Sequence, residues 1–77
     1  MMNDSHFTAA AKLVAEALSC AEDTLTPASA LGNHPHWDSI SHLNVMMALE
    51  QAFDVPIDEV TIQKYETLAA IQTLFVR

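Results

Sequence analysis

Basic residues are nearly missing from this chain. Only Lys12, Lys64 and Arg77 oppose ten Asp and Glu, which leaves a formal net charge of −7 at neutral pH. Phosphate backbones are bound by basic surface, so nucleic acid is not an expected partner. An anionic membrane surface is disfavoured for the same reason. Glycine is almost as rare: one Gly and three Pro argue against a loop-rich or barrel fold. Cys20 is the only cysteine, so no intrachain disulfide is possible and nothing points to an oxidising compartment. No apolar run approaches the ~20 residues of a membrane span. The opening "MMNDSHF" has neither the basic flank nor the apolar core of a signal peptide. A cytoplasmic protein without membrane insertion is the expectation.

Half of the 77 residues are hydrophobic. That is too apolar for a disordered tail and suits one small domain spanning residues 1–77. Ala, Leu, Met and Glu favour helix. In residues 5 to 19, Phe7, Ala10, Leu13, Val14, Ala17 and Leu18 recur at helical spacing, with Thr8, Lys12 and Glu16 opposite. A long connection follows, "CAEDTLTPASALGNHPHW", punctuated by Pro27, Gly32 and Pro35. Leu25 and Leu31 are expected to tuck back onto the core, and a connection this long in a small domain tends to be functional. Asp38 is a natural N-cap for a second helix from Ser39 to Phe53, stopped by "FDVPIDEV". A short helical turn is expected around Asp58 to Gln63. A last helix follows in "TLAAIQTLFV", begun by Glu66 or Thr67, with Leu68, Ile71, Leu74 and Phe75 inward. The expected fold is all-α, a small four-helix bundle with three longer helices and one short one.

The second helix carries two apolar stripes. At about 100° per residue, Val45, Met46, Leu49 and Phe53 form one arc, the expected core face. Ile40, Leu43 and Met47 form another, bordered by Asn44 and Gln51. A helix in a small bundle usually needs one buried face. The second stripe belongs either to a fully central helix or to a surface that meets a partner.

The stretch "HPHWDSISHL", residues 34–43, gathers three His, two Ser, one Asp and the only Trp. His34, His36 and Asp38 read as H-x-H-x-D, part of a metal-ligand run. A local zinc site needs about four ligands, and His34, His36, His42 and Cys20 fit no finger spacing, so surface-loop histidines are the expectation. Ser39 or Ser41 with His42 and Asp38 holds the ingredients of a catalytic triad. Neighbours on one helical turn do not point at one another suitably, and no oxyanion hole is evident, so catalysis is not expected. Ser39 remains as a group presented to others. It lies at the first turn of a helix, where free N–H groups and the helix dipole favour an attached anion. Ser is also simply common in a first turn.

With "WDSISHLNVMMALEQAFDVPI" in view, nearly the whole chain resembles the acyl carrier protein family. The resemblance rests on Asp38-Ser39-Ile40, where the family has Asp-Ser-Leu at the start of its second helix. It continues through Leu43, Val45, Met46, Ala48-Leu49-Glu50, Phe53, Val55 and Ile57. The resemblance implies that Ser39 is the attachment point for 4′-phosphopantetheine, delivered from coenzyme A by a phosphopantetheinyl transferase that Asp38 helps contact. The arm would carry an acyl intermediate as a thioester to the loading and processing enzymes of a fatty-acid-like, polyketide-like or other specialised pathway. The protein would be a monomeric carrier and not itself an enzyme. Its partners would meet Ile40, Leu43, Asn44, Met47, Glu50 and Gln51. An aminoacyl or peptidyl cargo is the alternative within the class. An unmodified helical interaction module is the alternative outside it.

The chain departs from the family's fatty-acid-synthesis members along that helix. Asn44 and Gln51 stand where carboxylates are expected, and Ala52 where another is common. Ser41 and His42 add no charge at neutral pH. The expected recognition face is therefore weakly acidic, and with Trp37 before Asp38 it points to a dedicated stand-alone carrier with its own partner set.

Overall fold

Among the described residues four α-helices make the fold, two long and two short, and most of their ends carry a cap or a stop that the sequence provides. The computed structural model describes residues 5–75. Helix α1 spans Ser5–Leu18 and ends at Ser19, which takes a left-handed conformation (φ 57°). Helix α2 spans Ser39–Phe53, the range expected from the sequence. It ends at Asp54, also left-handed (φ 60°), whose N–H closes onto the Glu50 carbonyl. Helix α3 spans Glu59–Lys64. A capping box opens it: Asp58 accepts the Thr61 N–H at 2.9 Å, and Thr61 Oγ1 accepts the Asp58 N–H at 3.0 Å. Helix α4 spans Leu68–Gln72, with Thr67 as its N-cap. It is shorter than the expected segment, because the chain tightens into a 3-10 turn over Thr73–Phe75. The remainder of that expected helix, from residue 76, lies outside the described residues.

The core forms where α1 packs against both α2 and α4. Ala10, Ala11, Val14, Ala15 and Leu18 from α1 meet Val45, Met46 and Leu49 from α2 and Leu68 and Ile71 from α4, all buried. The α1 stripe differs slightly from expectation. Ala11 and Ala15 are fully inside, while Phe7, Leu13 and Ala17 are only half-buried at the edge. Small Ala side chains let α1 approach its neighbours closely. Phe53 is likewise half-buried, in an edge-to-face pair with Phe75 at 4.8 Å between centroids. Leu74 and Phe75 flank the core rather than filling it.

The long connection between α1 and α2 is an ordered strap. It contains a 3-10 turn at Glu22–Thr24 that periodicity did not suggest. Leu25 is buried and Leu31 packs at the edge of the core. Ser29, Ala30 and Leu31 run alongside Glu66, Thr67 and Leu68. The Leu31 N–H donates to the Glu66 carbonyl at 2.8 Å and the Leu68 N–H to the Ser29 carbonyl at 2.9 Å, around an isolated antiparallel bridge of Ala30 with Thr67. That bridge is the only β pairing among the described residues. Asn33 closes the turn by accepting the Ala30 N–H at 2.8 Å and donating to the Ala28 carbonyl at 3.0 Å. Gly32 takes φ 94°, a conformation that L side chains rarely adopt. These bonds deliver the chain to Trp37, whose side chain is completely buried.

Candidate functional site

Residues 37–39 turn from the core to solvent over three positions. Trp37 points inward, and Asp38 and Ser39 are exposed. Asp38 has extended backbone (φ −111°, ψ −176°) and is the N-cap of α2, its Oδ1 accepting the Ser41 N–H at 2.8 Å. That donation from Ser41, first from its backbone and then from its side chain, holds the Asp38 carboxyl below the ordinary aspartate range. Ser39 is the first residue of α2. Among the described residues, no hydrogen bond engages its hydroxyl. The geometry is therefore a primary hydroxyl standing in water at the positive end of a helix whose cap is supplied by its neighbour.

The two stripes of α2 separate clearly. Val45, Met46 and Leu49 are fully buried, whereas Ile40 is 79 % exposed, Leu43 50 % and Met47 47 %. The central-helix alternative does not hold: the second stripe faces solvent. Asn44, Glu50 and Gln51 are exposed as well. Asn44, Met47 and Gln51 line an open groove between α2 and α1, opposite Leu13 and Glu16. Ile40, Leu43 and Glu50 lie outside that groove, so the six expected contact residues do not share one depression. Residues 39–49 contain no Asp, Glu, Lys or Arg.

The three histidines of residues 34–43 do not gather: the His34 and His36 rings lie 5.8 Å apart, but His42 is turned into the core. His34 is half-buried rather than a free loop side chain. Its Nδ1 accepts the His36 N–H at 3.1 Å, and its Nε2 lies 3.0 Å from Thr24 Oγ1. Because Nδ1 accepts, Nε2 carries the proton and donates to Thr24, which in turn donates to the Ala21 carbonyl at 2.7 Å. His34 is thereby spent on fixing the strap, and Asp38 is turned to Ser41. Among the described residues, no group of three or more His, Cys, Asp or Glu is arranged to hold a metal ion.

His42 is not the surface histidine expected from the sequence. It does not lie on the outer face beside Ser41; it is 2 % exposed and belongs to the core. Its Nδ1 accepts the Trp37 indole N–H at 3.0 Å, and its Nε2 lies 2.8 Å from the Ile62 carbonyl of α3. With both nitrogens occupied, it cannot serve Ser39 or Ser41 as a base, and the triad ingredients do not assemble. A signal for this placement exists: positions 42, 45, 46, 49 and 53 follow helical spacing, so His42 falls within the core arc. Among the described residues, every buried side-chain nitrogen and oxygen has a hydrogen-bond partner. No helix among them is long and apolar enough to cross a membrane.

Compared with models of known protein families, the chain matches none.

Proposed function

We propose that this protein is a carrier that holds an acyl intermediate as a thioester on a 4′-phosphopantetheine arm attached to Ser39. The observation that carries this reading is the pairing of an exposed Ser39 hydroxyl at the start of α2, unbonded among the described residues, with an exposed apolar stripe along the same helix. A tethered cargo needs a handle in solvent, and the enzymes that use it need a surface to recognise beside that handle. Tethering then raises the cargo's effective concentration at each enzyme's site.

Loading would form a bond from the Ser39 hydroxyl oxygen to the phosphorus of coenzyme A that bears the pantetheine. The bond to the departing 3′,5′-ADP breaks, and the hydroxyl proton leaves with a base of the transferase. The arm supplies the terminal thiol on which the thioester forms. What this chain contributes is placement. Asp38 caps the helix and takes up the Ser41 N–H, and the first turn's remaining N–H groups and dipole favour the phosphodiester. Asp38 also offers a charge to the transferase, and Glu50 offers one to basic partner surfaces. Ile40, Leu43 and Met47, with Asn44 and Gln51, form a neutral recognition surface between those two carboxylates. That surface suits a dedicated partner set rather than strongly basic general partners, in a cytoplasmic setting. The test is whether the folded protein accepts phosphopantetheine from coenzyme A, and whether Ser39→Ala abolishes that acceptance.

The exposed stripe also favours a second reading, an unmodified helical module that docks through Ile40, Leu43 and Met47. The same modification experiment separates the two.

A further inference from the structure

His42 is buried, yet each of its ring nitrogens is committed to a different part of the chain. The indole N–H of Trp37 can only donate, so His42 Nδ1 accepts and the proton sits on Nε2. Nε2 then donates to the Ile62 carbonyl across 2.8 Å. Ile62 lies near the end of α3, among the last carbonyls of a helix that find no intrahelical donor. The Thr61 carbonyl receives the Tyr65 N–H, and His42 serves the next one along. A side chain of α2 thus closes the C-terminal end of α3 as the Asp58–Thr61 box closes its N-terminal end. Few other ties hold α3. None of its residues is buried, Ile62 is half-buried, and Val60 is 73 % exposed.

The other arm reaches the end of the strap. Trp37 lies two residues before Ser39. Its carbonyl accepts the Gly32 N–H at 3.0 Å and its N–H donates to the His34 carbonyl at 3.1 Å. Fixing the indole therefore fixes the turn that leads into the N-cap. We infer that His42 is a positioning residue that couples α3 to the segment presenting Ser39. One imidazole sets the seat of both, so disturbing either bond frees the ring and loosens the other. The functional consequence rests on the carrier reading: Ser39 and the exposed flank of α3 are held in fixed relation for an enzyme that meets both.

Two substitutions divide the ring's bonds. In His42→Asn the side-chain oxygen stands near the position of Nδ1 and still accepts from Trp37, but the amide falls short of Ile62. In His42→Gln the amide nitrogen reaches the position of Nε2 and donates to Ile62, but Trp37 loses its acceptor. Trp37→Phe removes the indole donor while keeping an aromatic ring and leaving His42 in place. Amide hydrogen exchange of α3, exchange of the Trp37 indole N–H, and steady-state kinetics of a promiscuous phosphopantetheinyl transferase read the outcome. Losing one bond is expected to speed α3 exchange about five-fold in His42→Asn. A smaller acceleration is expected in Trp37→Phe and His42→Gln, where only coupling connects the change to α3. Indole exchange accelerates in His42→Gln, and KM for the protein rises more than kcat falls in all three variants.

Unchanged α3 exchange in Trp37→Phe and His42→Gln overturns the coupling. So does acceleration spread evenly over α1, α2 and α4, which marks His42 as core packing alone. If the unsubstituted protein takes no phosphopantetheine, the kinetic arm fails together with the carrier reading. The exchange arms still decide the coupling.

Discussion

Asp38 reaches over Ser39 to accept the backbone N–H of Ser41 at 2.8 Å, so the residue before the candidate attachment point is the one that closes the helix on which it stands. The bond holds the Asp38 carboxyl below its ordinary range. Its stabilisation is therefore fully present above the ordinary aspartate range and is lost as pH falls through the lowered folded-state value. Asn at position 38 keeps a capping oxygen without the titration. Denaturation midpoints of the unsubstituted protein and Asp38→Asn are expected to converge or cross in acid, with the carboxylate form losing more. Parallel midpoints across that range would count against the assignment. Asp38→Ala lowers the midpoint at neutral pH.

Replacing His42 with Leu retains an apolar side chain in the core but leaves the Trp37 N–H and the Ile62 carbonyl without partners. Each unpaired buried group costs about 1–3 kcal/mol, so with two partners lost a destabilisation of about 2–6 kcal/mol is expected for His42→Leu. Urea denaturation followed through the fluorescence of the single Trp measures it. A variant as stable as the parent would show that water satisfies both groups.

The two faces of α2 predict opposite responses to truncation. Leu49 is fully buried, and Leu49→Ala is expected to cost about 2–5 kcal/mol. Leu43→Ala and Met47→Ala remove exposed surface, and each is expected to change stability by no more than about 0.5 kcal/mol. Paired urea titrations test this. Leu43→Asp should leave folding intact and impair acceptance by partner enzymes, because it places charge in a neutral surface.

Much of this was legible in the sequence, and the gaps have physical causes. Helix α2 was readable at both ends because Asp38 is a good cap and "FDVPI" cannot continue a helix. Its two stripes were readable because period alone separates Ile40, Leu43 and Met47 from Val45, Met46 and Leu49. His42 shares the buried period, but histidine is usually read by its chemistry and not by its position, and its partners lie elsewhere in the fold. Trp37 read as a pathway marker turns out to be the largest fully buried side chain. The bridge of Ala30 with Thr67 had no local signature, since it depends on two distant segments meeting. The buried arc of α1 is centred on Ala11 and Ala15 rather than on the expected stripe, because the bulky Phe7 and Leu13 draw the apolar pattern toward an edge where they are only half-buried.

The H-x-H-x-D pattern gives a negative prediction with a direct check. His34 is engaged by Thr24 and His36, and Asp38 by Ser41. Added Zn²⁺ is therefore expected to leave the thermal midpoints of the unsubstituted protein, His34→Ala and His36→Ala each at its own metal-free value. A metal-dependent rise that these substitutions remove would restore a binding role, since a ligand that binds only the folded state stabilises it by an amount that grows with the logarithm of ligand concentration above Kd.

Ser39 as the attachment point is open to an intact-mass measurement. The protein is incubated with coenzyme A, Mg²⁺ and a promiscuous phosphopantetheinyl transferase, beside Ser39→Ala and a carrier known to be modified. A gain of one phosphopantetheine is expected in the unsubstituted protein and none in Ser39→Ala. A folded sample that gains nothing while the control carrier is fully converted, or a gain that survives Ser39→Ala, would contradict attachment at Ser39.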